Sequence, residues 1–400
     1  MIKDIFDLQN PWRTRPDYPF PYKPRRLLSV LLDNLDNDKM IGIVGSRQVG
    51  KSSLLFLLIK YLLHERLIPA ANIFYFSLDD LKLHELFHHL PDLLRFMGQS
   101  NQRRYLFLDE AQRLATPGLF LKQLYDLRLN LKVFFTGSSQ LELKSKTREH
   151  LVGRARMFEL QRLSFSEYLQ FNEPILPQEA LHELLIYGTY PEVALERDPT
   201  QKKLLLKDIY QSYVEKDITD FLKLENISAF NDLVKLVAVQ SGRLLNRDNL
   251  AKTLRLSRAL VDKYLQVLES TFIIKRIYPF HKNYKKEITR MPKVYFMDLG
   301  LRNFVLNNFN PVGLRTDTGV LFENFYLMEL LAEDPYQLKK INFWRTTNQT
   351  EIDFIVQGEN EFSAIEVKWK ATGRPRSFQT IRKYYPDIQT RLVTPEDFLR

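Results

Sequence analysis

Residues 40–53 read MIGIVGSRQVGKSS. Met40–Val44 is an apolar run suited to a strand buried on both faces. Gly45 to Ser52 then satisfies Gly-x-x-x-x-Gly-Lys-[Ser/Thr] at every fixed position, and the run Leu54–Leu63 continues as a helix. The spacing has a physical basis. Glycines let the backbone curl until successive N–H groups point inward at phosphate oxygens, and the following helix adds its positive N-terminal end. Gly45, Ser46, Arg47, Gln48, Val49, Gly50, Lys51, Ser52 and Ser53 are therefore the candidate phosphate-binding residues. Lys51 would reach the β- and γ-phosphates, and the Ser52 hydroxyl would face Mg²⁺.

Downstream, Ile73–Leu78 reads as a second strand. Tyr105–Leu108 reads as a third, ending in Asp109-Glu110. An apolar strand ending in two acids behind a phosphate loop is the Walker B arrangement. Asp109 would hold the Mg²⁺ of ATP, and Glu110 would polarise the attacking water. Lys132–Thr136 is a further buried strand, followed by Gly137-Ser138-Ser139. A polar group there would sense the γ-phosphate, with Ser138 the first candidate and Thr136 the second. Arg154 is the candidate transition-state cation, acting in its own subunit or a neighbour's. ATP and Mg²⁺ are the expected cofactors, and Lys51, Glu110, Arg154 and Ser138 the expected catalytic residues.

The chain has 400 residues, a formal net charge of +10 and no cysteine. The length calls for more than one domain. The lack of cysteine excludes disulfides and cysteine-based zinc sites. The N-terminus carries acids where a signal peptide would be apolar. Leu54–Leu63, broken by Lys60, is too short to span a bilayer. A cytoplasmic protein with no membrane association is expected, and the basic balance favours an anionic partner such as DNA.

The order G-S-R-Q-V-G-K-S, F-L-D-E-A, F-F-T-G-S-S, L-V-G-R-x-R-x-F-E-L, L-S-F-S-E-Y and Y-G-T-Y-P-E-V resembles prokaryotic AAA-type ATPases. In these proteins a domain of unknown function with a restriction-endonuclease-like C-terminus follows the ATPase. The resemblance covers essentially the whole chain. It departs at Gln161-Arg162, where the family tends to have a proline. It implies an α/β fold: a P-loop NTPase core with a parallel sheet, a helical lid, a winged helix-turn-helix and a C-terminal nuclease-like α/β domain. The expected boundaries are a proline-rich extended arm at 1–24, the ATPase core at 25–170, the lid or linker at 171–240, the winged helix at 241–300 and the nuclease-like domain at 301–400.

Within 176–240 the chain reads as amphipathic helix broken at Tyr187–Pro191, and Val214–Asp220 as a solvated charged face. From Asn246, a helix Arg247–Leu254, a tight turn and a helix Arg258–Glu269 capped by Ser257 lead into a β-rich piece. Leu260, Val261, Leu265 and Leu268 would face the core. Arg258, Lys263 and Gln266 would face a DNA groove. Lys275, Arg276, Lys282, Lys285, Lys286, Arg290 and Lys293 stand against Glu287 alone, with aromatics between them. That mixture suits phosphate contact and base stacking, and Lys282, Lys285 and Lys286 join the candidate DNA contacts.

At the C-terminus, Asp353 is followed after twelve residues by Glu366-Val367-Lys368, and Glu323 precedes them on a helix. Asp-x₁₂-Glu-x-Lys with an upstream Glu is the pattern of PD-(D/E)xK nucleases. Glu323, Asp353 and Glu366 would form an oxygen pocket for Mg²⁺ or Mn²⁺, with Lys368 beside a phosphate or water. Strand alternation would put Glu366 and Lys368 on one face, with Ile365 and Val367 inward.

Two functions fit this reading. The first is an Mg²⁺-dependent ATPase acting on DNA through a winged helix and a nuclease-like domain. The second is an ATP-driven switch that assembles as a homo-oligomer or with a protein partner, its C-terminal domain inert; helical segments serving partner contacts in a chaperone-like way are a weaker variant.

Overall fold

The computed structural model describes residues 2–138, 151–212, 227–281, 291–370 and 373–399. Val214–Asp220, Lys282, Lys285, Lys286 and Arg290, named above, lie outside the described residues. The chain forms two compact units, Met1–Gln161 and Arg162–Arg400. The first ends at Gln161 rather than at 170. The segments expected as lid, winged helix and nuclease-like domain fall together in the second.

The first unit is built on a five-stranded parallel sheet. Its strands are β1 (Met40–Val44), β2 (Ile73–Ser77), β3 (Arg104–Asp109), β4 (Leu131–Gly137) and β5 (Ala155–Glu159), in the order β2-β3-β4-β1-β5. β1, β3 and β4 are central and almost wholly buried, which explains their continuous apolar runs. Phe107 and Phe134 stack across β3 and β4 with ring centroids 4.8 Å apart. β5 is the edge, and of its residues only Phe158 is buried.

The opposite edge corrects the reading of residues 1–24 as an extended arm. Ile2–Gln9 is a helix, and only from Pro11 do the prolines prevent one. Phe6 is buried against Phe74, Phe76 and Phe96. The Asn10 side chain accepts the Tyr75 N–H at 2.9 Å and donates to the Tyr75 carbonyl at 2.8 Å. Gln9 accepts the Ser77 N–H at 2.8 Å. These two amides substitute for a missing neighbour strand and close the β2 edge.

In the second unit, Ser164 caps the helix Phe165–Phe171, in a capping box with Glu167. The helix Pro177–Tyr187 stops at Gly188, whose φ of 76° and approach to Asp298 exclude a side chain. Asp298 accepts the Thr189 and Leu301 N–H groups at 2.8 Å each. Asn303 donates to the Leu185 and Ile186 carbonyls at 2.9 and 2.8 Å, satisfying that helix's C-terminus. Arg162, the point of departure from the family pattern, is buried and donates to the Tyr190 hydroxyl at 2.7 Å and the Phe272 carbonyl at 2.9 Å.

The helix Arg247–Leu254, a turn through Arg255 at φ 55° and the helix Arg258–Ser270 follow. Ser257 caps the second helix. β6 (Ile274–Ile277) pairs antiparallel with β7 (Lys293–Phe296). The C-terminal segment runs as helix Thr318–Ala332, β8 (Lys340–Arg345), β9 (Glu351–Gln357), β10 (Phe362–Val367), helix Arg376–Tyr384 and β11 (Gln389–Val393). Its sheet has the order β11-β10-β9-β8, antiparallel except for the β10/β11 pair. Among the described residues no helix is long and apolar enough to cross a membrane.

Candidate functional site

The loop between β1 and the helix Lys51–His64 is set by its glycines. A Cβ on Gly45 would stand 2.5 Å from the Leu160 carbonyl oxygen, and Gly50 has φ 93°. Both positions admit glycine far better than any other residue. Lys51 is 4% exposed. Its ammonium donates to the carbonyls of Ser46 at 3.0 Å and Gly45 at 3.2 Å, and lies 3.7 Å from Glu110 Oε1. Burial lowers its pKa, and the Glu110 and Asp109 charges oppose that.

β3 and β4 are neighbours, so Asp109, Glu110 and Thr136 meet at their carboxyl ends. Thr136 Oγ1 donates to Asp109 Oδ1 and accepts the Glu110 N–H at 2.9 Å. The Tyr75 hydroxyl donates to Asp109 Oδ2 at 2.9 Å. Asp109 is buried, which raises its pKa, and hydrogen bonds from Ser52, Thr136 and Tyr75 pull the other way. Glu110 sits at φ 55°, a left-handed conformation that is costly for a residue with a side chain. Its carboxylate accepts from the Gln112 amide, which also donates to the Ser138 hydroxyl at 2.9 Å.

Ser52, Asp109, Glu110, Lys51 and Ser138 are thus brought to the same end of the sheet. Thr136, the second choice as sensor, is the residue in direct contact with both acids. Tyr75, Gln112 and Arg25 were not anticipated. Arg25 is buried and donates to the Val49 carbonyl at 2.7 Å and the Gln161 carbonyl at 2.8 Å, so it fastens the phosphate loop from behind. Nothing in the basic stretch KPRR singles it out. Gln112 had a usable signal, standing two residues after Glu110 where a turn returns its side chain.

Arg154, expected to act in its own subunit or a neighbour's, stands apart from the loop of its own chain. Its carbonyl accepts the Met40 N–H, at the start of β1, whereas the loop lies at the strand's other end. Its guanidinium pairs with Asp126 at 2.8 Å. Five residues of parallel strand, about 16 Å, separate it from the loop of its own chain.

On the helix Arg258–Ser270, Val261, Leu265 and Leu268 are buried and Leu260 partly so, while Arg258, Lys263 and Gln266 are exposed. Arg258 pairs with Asp248 at 3.1 Å. Arg276 is held by Glu269 at 2.6 Å, and Lys293 is buried, so neither joins an open basic surface.

The structure brings Glu323, Asp353, Glu366 and Lys368 together. Lys368 Nζ lies 2.7 Å from Glu366 and 3.5 Å from Asp353. Asp353 Oδ2 accepts the Val367 N–H at 2.9 Å, and Glu366 accepts the Ser377 hydroxyl. Glu366 and Lys368 share one face, and at Glu366 that face is covered as well. Glu366 is as buried as Ile365, because the helix Arg376–Tyr384 covers its face. Sequence reasoning missed Lys293 and Glu351. Nζ of Lys293 stands 2.6 Å from Glu351 and 3.1 Å from Glu323. Glu351 could have been found by its i, i+2 relation to Asp353 on one strand. Burial beside Asp353 raises the Glu323 pKa to about 7, against the pull of Lys293 and Tyr295.

Residues 37–169 match the family model of an AAA domain. Residues 178–312 and 318–397 match two domains of unknown function, DUF8612 and DUF4143. An uncharacterized protein of Methanocaldococcus jannaschii is 24% identical over 88% of this chain and 80% of its own. An uncharacterized protein of Haemophilus influenzae is 24% identical over 86% of each. The Aeropyrum pernix ORC1 protein, solved in complex with DNA, superposes with a TM-score of 0.33 at 12% identity, covering 74% of this chain and 96% of that one. So remote a superposition carries no functional inference. The AAA match and the parallel sheet together make residues 37–169 an AAA-type P-loop ATPase core.

Proposed function

We propose that this protein binds and hydrolyses ATP with Mg²⁺ at the Gly45–Ser52 loop and uses the cycle to act on DNA through the helix Arg258–Ser270. The observation that carries the first part is the convergence of Ser52, Asp109 and Glu110 beside the buried Lys51. The donor set fits Mg²⁺, which takes one or two carboxylate or hydroxyl ligands and completes its shell with phosphate oxygens and water. Ser52 and Asp109 would hold it, and it would neutralise charge developing between the β- and γ-phosphates.

The chain's own groups account for the rest. Loop N–H groups and the helix N-terminus orient the phosphates. The Lys51 ammonium exchanges the Gly45 and Ser46 carbonyls for phosphate oxygens. Glu110 holds and polarises water, its carboxylate aimed by Gln112 and its backbone by Thr136. Ser138 reports the γ-phosphate through the same Gln112 amide.

DNA as partner is supported by the formal charge of +10 and by the exposed face Arg258, Lys263 and Gln266 on a helix that follows a tight turn. The test is the ATP turnover rate with and without duplex, single-stranded and branched DNA, alongside DNA binding at low salt. Stimulated turnover supports the reading; no DNA binding at low salt removes DNA from it.

The second reading, a homo-oligomeric ATP switch with an inert C-terminal domain, is favoured by one observation: the buried Lys293 among the C-terminal acids. The order helix-β8-β9-β10-helix-β11, with Asp353 and Glu366 on neighbouring strands, supports a nuclease-like fold for this segment without implying that it cuts.

A further inference from the structure

A nuclease-like C-terminal segment implies a divalent cation held by Glu323, Asp353 and Glu366. The side chains do not fit one. Lys293, 2% exposed, points its ammonium into the cluster, 2.6 Å from Glu351 Oε1, 3.1 Å from Glu323 Oε1 and 3.9 Å from Asp353 Oδ1. Glu323 Oε1 also accepts the Tyr295 hydroxyl at 2.6 Å. Asp353 Oδ2 is engaged by Val367 N–H and Lys368, and Glu366 by Lys368 and Ser377.

Mg²⁺ demands oxygens at about 2.0–2.1 Å in a near-octahedral shell. Here Glu323 and Asp353, which such an ion would have to bridge, are already bridged by a fixed positive charge. A dication beside a buried ammonium also meets strong repulsion, since the low dielectric of the interior screens it poorly. Among the described residues, no three His, Cys, Asp or Glu side chains are arranged to hold a metal.

We infer that Lys293 is a built-in cation that takes the place of the metal in this cluster. The cluster is a metal-free network of ion pairs around Lys293 and Lys368, and the C-terminal unit does not perform metal-dependent strand cleavage. The inference rests on the nuclease-like reading of the segment and is independent of the nucleotide site. Its sequence origin is unusual. Lys293 comes from β7, upstream of the helix Thr318–Ala332, and so lies outside the motif that supplies the other four residues.

The experiment is a Mn²⁺ titration of the full-length, nucleotide-free chain followed by electron paramagnetic resonance, with thermal unfolding in parallel. The proteins are wild type, Lys293→Met, Lys293→Gln, each of these with Asp353→Asn, and Asp353→Asn alone. Wild type is expected to show no Asp353-dependent Mn²⁺ site up to ~1 mM. Lys293→Met is expected to lose thermal stability and to regain it with Mn²⁺, with binding at least about tenfold tighter than wild type, because a ligand of the folded state stabilises it. Asp353→Asn should abolish that gain.

Wild-type Mn²⁺ binding that disappears in Asp353→Asn would overturn the inference. So would folded Lys293→Met and Lys293→Gln proteins that gain no site. If neither variant folds, the wild-type and Asp353→Asn comparison decides: binding that depends on Asp353 overturns the inference, and its absence upholds it. ATP turnover in the same preparations reports separately on the nucleotide site.

Discussion

The Lys51 ammonium lies 3.7 Å from the Glu110 carboxylate, so the proposed phosphate-binding cation and the proposed water-polarising base neutralise one another within the site. Phosphate arriving at Lys51 would release Glu110 toward water. Lys51→Ala is therefore expected to abolish both nucleotide binding and turnover. Glu110→Gln keeps the shape and should still bind nucleotide, while turnover falls by roughly 10²–10⁴-fold, the range for a lost general base. Fluorescent-nucleotide binding and phosphate release measure the two quantities. Normal turnover in either variant would remove that residue from the chemistry.

Thr136 is joined to both acids by one hydroxyl. Thr136→Val keeps the volume and leaves a buried carboxylate and an N–H short of a partner, which costs about 1–3 kcal/mol. Denaturant unfolding should register that loss, and Thr136→Ser should recover most of it together with turnover. A valine variant as stable and active as wild type would show that the hydroxyl is dispensable.

Arg25 ties the Val49 carbonyl of the phosphate loop to the Gln161 carbonyl beyond β5. Arg25→Ala should loosen the loop's curl without touching the reacting atoms. The expected signature is a raised KM for ATP with kcat much less affected, read from steady-state kinetics. Equal loss in kcat and kcat/KM would instead place Arg25 in transition-state stabilisation.

Asp317 sits between two buried arginines, at 2.9 Å from Arg302 and 2.8 Å from Arg315. Burial alone would raise its pKa, but hydrogen bonds from Arg315 and Arg302 prevail and hold it below its ordinary value of 3.8. The folded state thus binds this proton less readily than the unfolded state does. The stability it contributes is present above 3.8 and is lost as pH falls through the depressed value. Asp317→Asn should lower stability near neutral pH by roughly 3–5 kcal/mol, the cost of unpairing buried charge. It should also flatten the acid limb of the unfolding midpoint plotted against pH. An unchanged acid limb would show that Asp317 is not linked to acid unfolding.

The exposed face of the helix Arg258–Ser270 makes the DNA reading testable. If Lys263 meets a phosphate, Lys263→Ala weakens binding alike for all sequences and reduces the slope of log affinity against log salt by about 0.9. Fluorescence anisotropy across a salt series measures it. A slope unchanged in Arg258→Ala, Lys263→Ala and Gln266→Ala alike would move the DNA contact off this helix.

The nucleotide site was legible in sequence because its parts are local. The Gly45–Ser52 loop carries its own geometry, and a buried parallel strand announces its end by the first charged residues after an apolar run, as at Asp109-Glu110. The helix, turn and helix of 247–270 were legible for the same reason, through Ser257 and the apolar spacing. Residues 1–24 were misread because the prolines begin only at Pro11, and what shapes Ile2–Gln9 is an unpaired sheet edge elsewhere in the chain.

Sequence alone thus determined which residue types stand at each strand end, since glycine conformation, strand burial and helix capping act within a few residues. Tertiary structure decided which strand ends adjoin. The order β2-β3-β4-β1-β5 sets Thr136 beside the acids and leaves Arg154 at the far end of β1. It also decided that Lys293, one more cation in a basic stretch by sequence, is buried among carboxylates. Charge pairing over such separations depends on where sheets and helices bring the chain back, and no local pattern of residues records that. The loop at 45–52 could be read from its own fourteen-residue neighbourhood, whereas the partner of Lys293 had to be found in space.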